Sequence, residues 1–114
     1  MMARLNYLEL PVADVAAASA FYEAAFGMAF TSFSPRYVAT TTGDTDLGLE
    51  ASDAQPVGPA LPVIEVDDLE AAEARVHAAG GEIVVPIFAF PGGRRFQFRD
   101  RDGHELAVSM QADG

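Results

Sequence analysis

The stretch Leu5–Gly27, LNYLELPVADVAAASAFYEAAFG, reads as strand, turn and helix, and the rest of the chain is laid out by it. Fifty-four residues later much of it returns as LPVIEVDDLEAAEARVHAAGG, Leu61–Gly81. Setting Val12–Gly27 against Val66–Gly81 without gaps gives eight identities in sixteen, five of them alanine, so their placement carries more weight than their number. The Val and Asp before each helix and the Gly after it all coincide. A period near fifty marks two copies of one supersecondary unit. In the first copy Leu5–Leu10 alternates as a half-buried strand. Asn6, Leu8 and Leu10 share one face, Leu5, Tyr7 and Glu9 the other, and Pro11 closes it. Asp14 suits a helix N-cap. Val15, Ala18, Tyr22, Ala25 and Phe26 follow as an apolar stripe, with Gly27 placed for a left-handed cap. The second copy repeats the plan: strand Leu61–Val66, cap Asp68, stripe Leu69, Ala72, Val76 and Ala79, end Gly80-Gly81.

Between the copies the pattern predicts strands over Met28–Phe33, Arg36–Thr42 and Asp46–Ala51. Turns fall at Ser34-Pro35 and Gly43-Asp44, and residues 52–60 form a polar, proline-bearing linker. After the second helix it predicts Glu82–Ile87, then Arg94–Arg99 and His104–Met110 as a hairpin across Asp100-Arg101-Asp102-Gly103. Gly92-Gly93 supplies the preceding turn. The order is strand, helix and three strands, twice over, in one domain spanning 1–114, with modules near 4–51 and 61–110.

With 7 basic against 17 acidic residues the net charge is −10, which opposes contact with a phosphate backbone, and no basic run relieves it. The absence of cysteine excludes disulfides, thiolate metal sites and a thiol nucleophile. No apolar run approaches membrane-spanning length and the start lacks a signal-like apolar core, so the expected setting is cytoplasmic. A Ser–His–Asp set, a P-loop and a dinucleotide fingerprint are all missing.

The element order and the residues at its joints resemble the vicinal oxygen chelate superfamily: glyoxalase I, bleomycin-resistance proteins and extradiol dioxygenases. LPVADVAAASAFYEAAFG, IEVDDLEAAEARVHAAGG and the closing GRRFQFRDRDGHELAV carry the likeness, with Arg101 where the family's turn usually has proline. The resemblance implies an α+β fold of two βαβββ modules forming a curved mixed sheet around a cleft. It also implies a small-molecule ligand there and pairing into a homodimer. In the family's metal enzymes four cleft-facing side chains hold a divalent ion. Those positions fall here on Tyr7, Glu50, Leu61 and Ala107. Leucine and alanine have no lone pair to give and a neutral phenol is a poor ligand. The expected cofactor set is therefore empty, with no metal residues at the family's positions, while displaced carboxylates leave recruitment of a divalent ion open.

Alternation puts Glu9 on the face of Tyr7, Val63 and Glu65 on that of Leu61, and Glu105 and Ser109 on that of Ala107. Crowded carboxylates can act as general bases or hold a cation; paired with Arg36, Arg95 or Arg99 they are plain solvated ion pairs. Arg95 and Gln97 alternate with Phe96 and Phe98, so they face the cleft if the phenylalanines face the helix. Arg95 suits a carboxylate or phosphate. Tyr7 offers a hydrogen bond or a stacking surface, or simply fills the space of the absent ion. Phe88, Phe90, Phe96 and Phe98 read as core. His77 reads as a helix flank and His104 as an exposed strand start. Three functions follow. The first is a metal-independent small-molecule binder using Tyr7, Glu9, Leu61, Arg95, Gln97, Glu105 and Ala107. The second is a glyoxalase-type lyase or isomerase with Glu50 as general base, with or without a divalent metal, and the third is an accessory domain without catalysis.

Overall fold

The computed structural model describes residues 2–52 and 58–112, so most of the expected linker at 52–60 lies outside the described residues. Ten elements follow in order: β1 (Ala3–Val12), α1 (Val15–Phe26), β2 (Thr31–Ser34), β3 (Tyr37–Ala39), β4 (Asp46–Ala51), β5 (Leu61–Val66), α2 (Leu69–Ala78), β6 (Glu82–Phe90), β7 (Gly93–Arg99) and β8 (Glu105–Gln111). They group into two compact units: one is Tyr7–Leu61, the other joins the chain up to Asn6 with the segment from Pro62 onward. Among the described residues no helix is long and apolar enough to cross a membrane.

In the unit Tyr7–Leu61 the strands lie in the order β2-β3-β4-β1. β1 runs parallel to β4, with Tyr7 beside Asp46, Glu9 beside Gly48 and Pro11 beside Glu50. β3 runs antiparallel to β4, with Tyr37 beside Glu50 and Ala39 beside Gly48. Period-two alternation then sorts the side chains. Leu10, Val12, Val38, Leu47, Leu49 and Ala51 pack with Val15, Ala18 and Tyr22 of α1. Tyr7, Glu9, Tyr37, Gly48 and Glu50 take the face without the helix. α1 starts where Asp14 accepts from the Ala17 amide at 3.1 Å. It stops at Gly27, whose φ of 69° is cheap only without a Cβ.

Three expectations are corrected here. The apolar stripe of α1 ends at Tyr22, whose ring turns to Phe30 at 6.5 Å; Ala25 is exposed and Phe26 is 72% exposed. β1 continues through Pro11 to Val12 instead of closing there. Strand β3 stops at Ala39 and not Thr42, because Asp46 claims the next residues. Its carboxylate accepts from the Thr40 hydroxyl at 2.7 Å, the Thr42 amide and hydroxyl each at 2.8 Å, and the Gly43 amide at 3.0 Å. Side-chain bonding of this kind competes with the ladder.

The unit from Pro62 has the strand order β5-β8-β7-β6. Phe96, Leu69, Val66, Ala72 and Val108 form its buried core, and Ile64, Val76, Ile83, Ile87, Phe98 and Met110 pack against them. Asp68 caps α2 by accepting from the Ala71 amide at 3.0 Å. The helix closes as a Schellman motif, with Gly81 N–H bonded to the Val76 carbonyl and Gly80 N–H to that of His77. Ala79, expected on the stripe, is exposed in this closing turn. β6 extends to Phe90, beyond the expected Ile87, but its pairing with β7 slips twice, once on each side of Val85. Pro86 has no amide to give the ladder, which suits a bulged edge. The slips shift the register so that Phe88, on the helix-free face, lies opposite Arg95. The expectation that Phe88 and Phe90 are core does not hold, as each is 38% exposed.

Candidate functional site

Two side-chain groups occupy the helix-free faces. On the second unit, register sets Arg95 beside Ser109, Gln97 beside Ala107 and Arg99 beside Glu105. Ala107 is fully buried, between its partners Gln97 and Val63. Arg95 donates through Nη2 to Gln97 Oε1 at 3.1 Å, and Gln97 Nε2 donates to Glu105 Oε2 at 2.6 Å. The other Glu105 oxygen lies 3.7 Å from Arg99, which lies 3.7 Å from Glu82. The Arg95 guanidinium sits over the Phe88 ring, 5.5 Å from its centre. Gln97 accepts on one side and donates on the other, so its amide orientation is fixed by its neighbours. The result is a half-buried cation on an aromatic shelf, held by an amide and backed by a carboxylate. Arg95, Gln97 and Glu105 are thus brought together as alternation predicted. Glu105 also meets Arg99, as the ion-pair reading had it.

On the first unit the Tyr7 hydroxyl is hydrogen-bonded to that of Tyr37. The Phe33 ring stands 5.9 Å from the Tyr37 ring. Glu50 is exposed on β4, directly opposite Tyr37, and Glu9 is half-buried opposite Gly48. Leu61 and Glu65 are half-buried on β5. Neither Tyr37 nor Gly48 was singled out from sequence. A glycine inside a strand is itself the signal of a close approach, and Gly48 was legible as such.

Asp46 heads the turn beside this face. Burial tends to raise its pKa, but the bonds from Thr40, Thr42 and Gly43 outweigh that and hold it below the ordinary carboxyl value. A carboxyl depressed in the folded state stabilises the fold above its unfolded pKa and loses that contribution as pH falls through the folded one. Asp46 stabilisation is therefore expected to be complete at neutral pH and to drain away below about pH 4. Urea midpoints for wild type and Asp46→Asn should differ at pH 7 and converge as the pH is lowered through that range. A constant difference would refute the assignment.

Among the described residues one group can approach a metal ion, namely Asp100, Asp102 and His104, all exposed, with one ligand atom from each within 4.8 Å of the others. It lies in the β7–β8 turn, which Asp100 organises by accepting from the amides of Asp102 and His104, each at 2.9 Å. The His104 amide, against a smaller opposing effect of burial, holds the Asp100 carboxyl below its usual value, and the His104 ring and Asp102 amide add to this. The group includes none of Tyr7, Glu50, Leu61 and Ala107. The expectation of no metal was drawn from those four positions and took no account of it. His77 is exposed on α2, as expected.

Residues 4–108 match the profile of the Glyoxalase/Bleomycin resistance protein/Dioxygenase superfamily, and the chain belongs to it. Solved structures share the fold at low identity. A hypothetical protein from Bacillus halodurans superposes with a TM-score of 0.83 at 12% identity, covering 100% of this chain and 98% of that one. Methylmalonyl-CoA epimerase from Streptomyces coelicolor, in complex with 2-nitronate-propionyl-CoA, gives 0.79 at 17%, covering 96% and 98%. The Mn(II)-bound glyoxalase from Novosphingobium aromaticivorans gives 0.69 at 21%, covering 99% of this chain but 43% of that one. No curated protein matches in sequence. The chain has the mixed α+β fold of these proteins.

Proposed function

We propose that this chain binds a small carboxylate-bearing molecule through Arg95, without the superfamily's divalent metal. The observation that carries the reading is the Phe88–Arg95–Gln97–Glu105 arrangement, a guanidinium pre-set by an aromatic ring and a fixed amide. Such a donor suits a planar carboxylate and loses little freedom on binding it. Ala107, paired with both Gln97 and Val63, adds an apolar position to the same ladder. A relative of the same fold is complexed with methylmalonyl-CoA, a carboxylate-bearing thioester, which fits this ligand class. The four family metal positions do not fit an ion: Leu61 and Ala107 carry no lone pair, and the phenol of Tyr7 is bonded to Tyr37. Only Glu50 brings a carboxylate, and one is too few.

An enzyme reading has one observation in its favour. Glu50 is an exposed carboxylate directly across the ladder from Tyr37, so a general base and a phenolic donor are adjacent. In that case Glu50 accepts a proton from carbon next to a carbonyl.

Methylmalonyl-CoA is expected to raise the melting temperature of the purified chain by linkage. Arg95→Met keeps the apolar stem and removes the charge, and should weaken that binding about tenfold or more. Treatment with a chelator should leave both melting temperature and binding unchanged. Stabilisation that depends on Mn(II), or that survives intact in Arg95→Met, would defeat the proposal.

A further inference from the structure

On the other side of the second unit an open groove of about 410 Å3 runs between α2 and β6, lined by Glu70, Glu73, Ala74 and His77 of the helix and Ile83 of the strand. Residues three and four apart on a helix are neighbours, so Glu70, Glu73 and His77 form a row along one wall. At one end of the row Arg94 donates to Glu70 through both terminal nitrogens, at 2.5 and 3.2 Å, and so occupies that carboxylate. Glu73 differs. It is half-buried, and among the described residues no hydrogen bond or ion pair reaches its side chain. Its groove neighbours Ala74 and Ile83 have no polar side-chain atom to offer. His77, four residues on, is exposed, and its ring is likewise unpaired among the described residues.

A carboxylate partly withdrawn from water beside apolar side chains gains from a cation that reaches it. The net charge of −10 raises the local concentration of such cations. An ionised carboxylate only accepts hydrogen bonds and a neutral imidazole has one lone-pair nitrogen, whereas an ammonium group has three donors and no acceptor. The groove is within the range of small-molecule sites, about 300–1,000 Å3, and its apolar side chains suit a short alkyl arm. A metal ion is the poorer occupant: it needs more than one carboxylate and one imidazole, and Glu70 is held by Arg94. We propose that the α2–β6 groove binds a small aliphatic amine in its ammonium form. Glu73 meets the charge, His77 accepts a second N–H, and Ala74 and Ile83 seat the alkyl arm. The site lies on the helix side of the sheet and does not depend on Arg95.

The chain has two histidines, so comparison with His104→Gln assigns the imidazole proton signals of His77 in NMR spectra. n-Butylammonium chloride is the probe, titrated at about pH 8, where an imidazole is neutral. The His77 signals should move saturably in wild type. Glu73→Gln keeps the shape of the wall and should weaken the dissociation constant about tenfold, as losing a charge-assisted hydrogen bond does. Ammonium chloride, which has no arm, should bind more weakly than butylammonium. His77 signals that stay put or fail to saturate, wild-type affinity in Glu73→Gln, or equal affinity for the bare ammonium ion overturns the proposal. So does a Zn(II) titration that moves His77 where butylammonium does not, which marks a metal clamp. Each of these failures leaves the Arg95 reading standing, because that one is read from methylmalonyl-CoA binding to Arg95→Met.

Discussion

Phe96→Ala is expected to cost about 3–5 kcal/mol of folding stability, the range for deleting a buried aromatic side chain. Phe96 has no solvent exposure. It sits in the core with Leu69 and Ala72 of α2, Val66 at the end of β5 and Val108 on β8. Its ring lies 6.4 Å from that of Phe98. Three other elements converge on one side chain, so no single neighbour can slide in to close the space left behind. Small domains have only about 5–15 kcal/mol in total. The variant should therefore unfold at a much lower urea concentration, and Phe96→Leu should retain a large share of the loss. A drop below about 1 kcal/mol would mean the region collapses onto the gap.

Gly93→Ala is expected to destabilise by about 1–3 kcal/mol, as overpacking does. Gly93 is buried and pairs with Gln111. An added Cβ would run into the Met110 carbonyl oxygen, 3.2 Å from the Met110 carbonyl carbon and 3.1 Å from Gln111 Cα. These are backbone atoms of the partner strand and have no rotamer to move. The ladder itself must open at the Gly92-Gly93 end, where the Ala112 amide also bonds the Gly92 carbonyl at 2.8 Å. Hydrogen exchange should show lost protection at Met110 and Gln111 before the rest of β8. Unchanged protection would show that the strands part without strain.

Much of this fold was legible because its signals are local and repeated. Asp14 and Asp68 each offer a carboxylate to the amide three residues on, and the chain writes that arrangement twice at one spacing. The faces of β7 and β8 followed from alternation alone, which is why Arg95, Gln97 and Glu105 are legible on one face from the sequence. The misses share a different cause: a side chain acting at a distance along the chain. The end of β3 depends on Asp46, four residues beyond Thr42, and propensity within 36–42 carries no trace of it. The place of Phe88 opposite Arg95 was not foreseen because two slips around Pro86 move the register of β6 against β7. Tyr37 was missed because its partner is thirty residues away and the residue that lets them meet is defined by lacking a side chain.

The slipped pairing of β6 bears on colloidal behaviour as well as on Phe88. This strand ends its unit's order, as β2 ends the other's. A terminal strand offers unpaired backbone groups on which foreign chains can template. Here one such border is kinked and interrupted by an imino acid, and the other is a four-residue polar run, TSFS. Together with ten uncompensated negative charges, this should keep concentrated solutions free of fibrils.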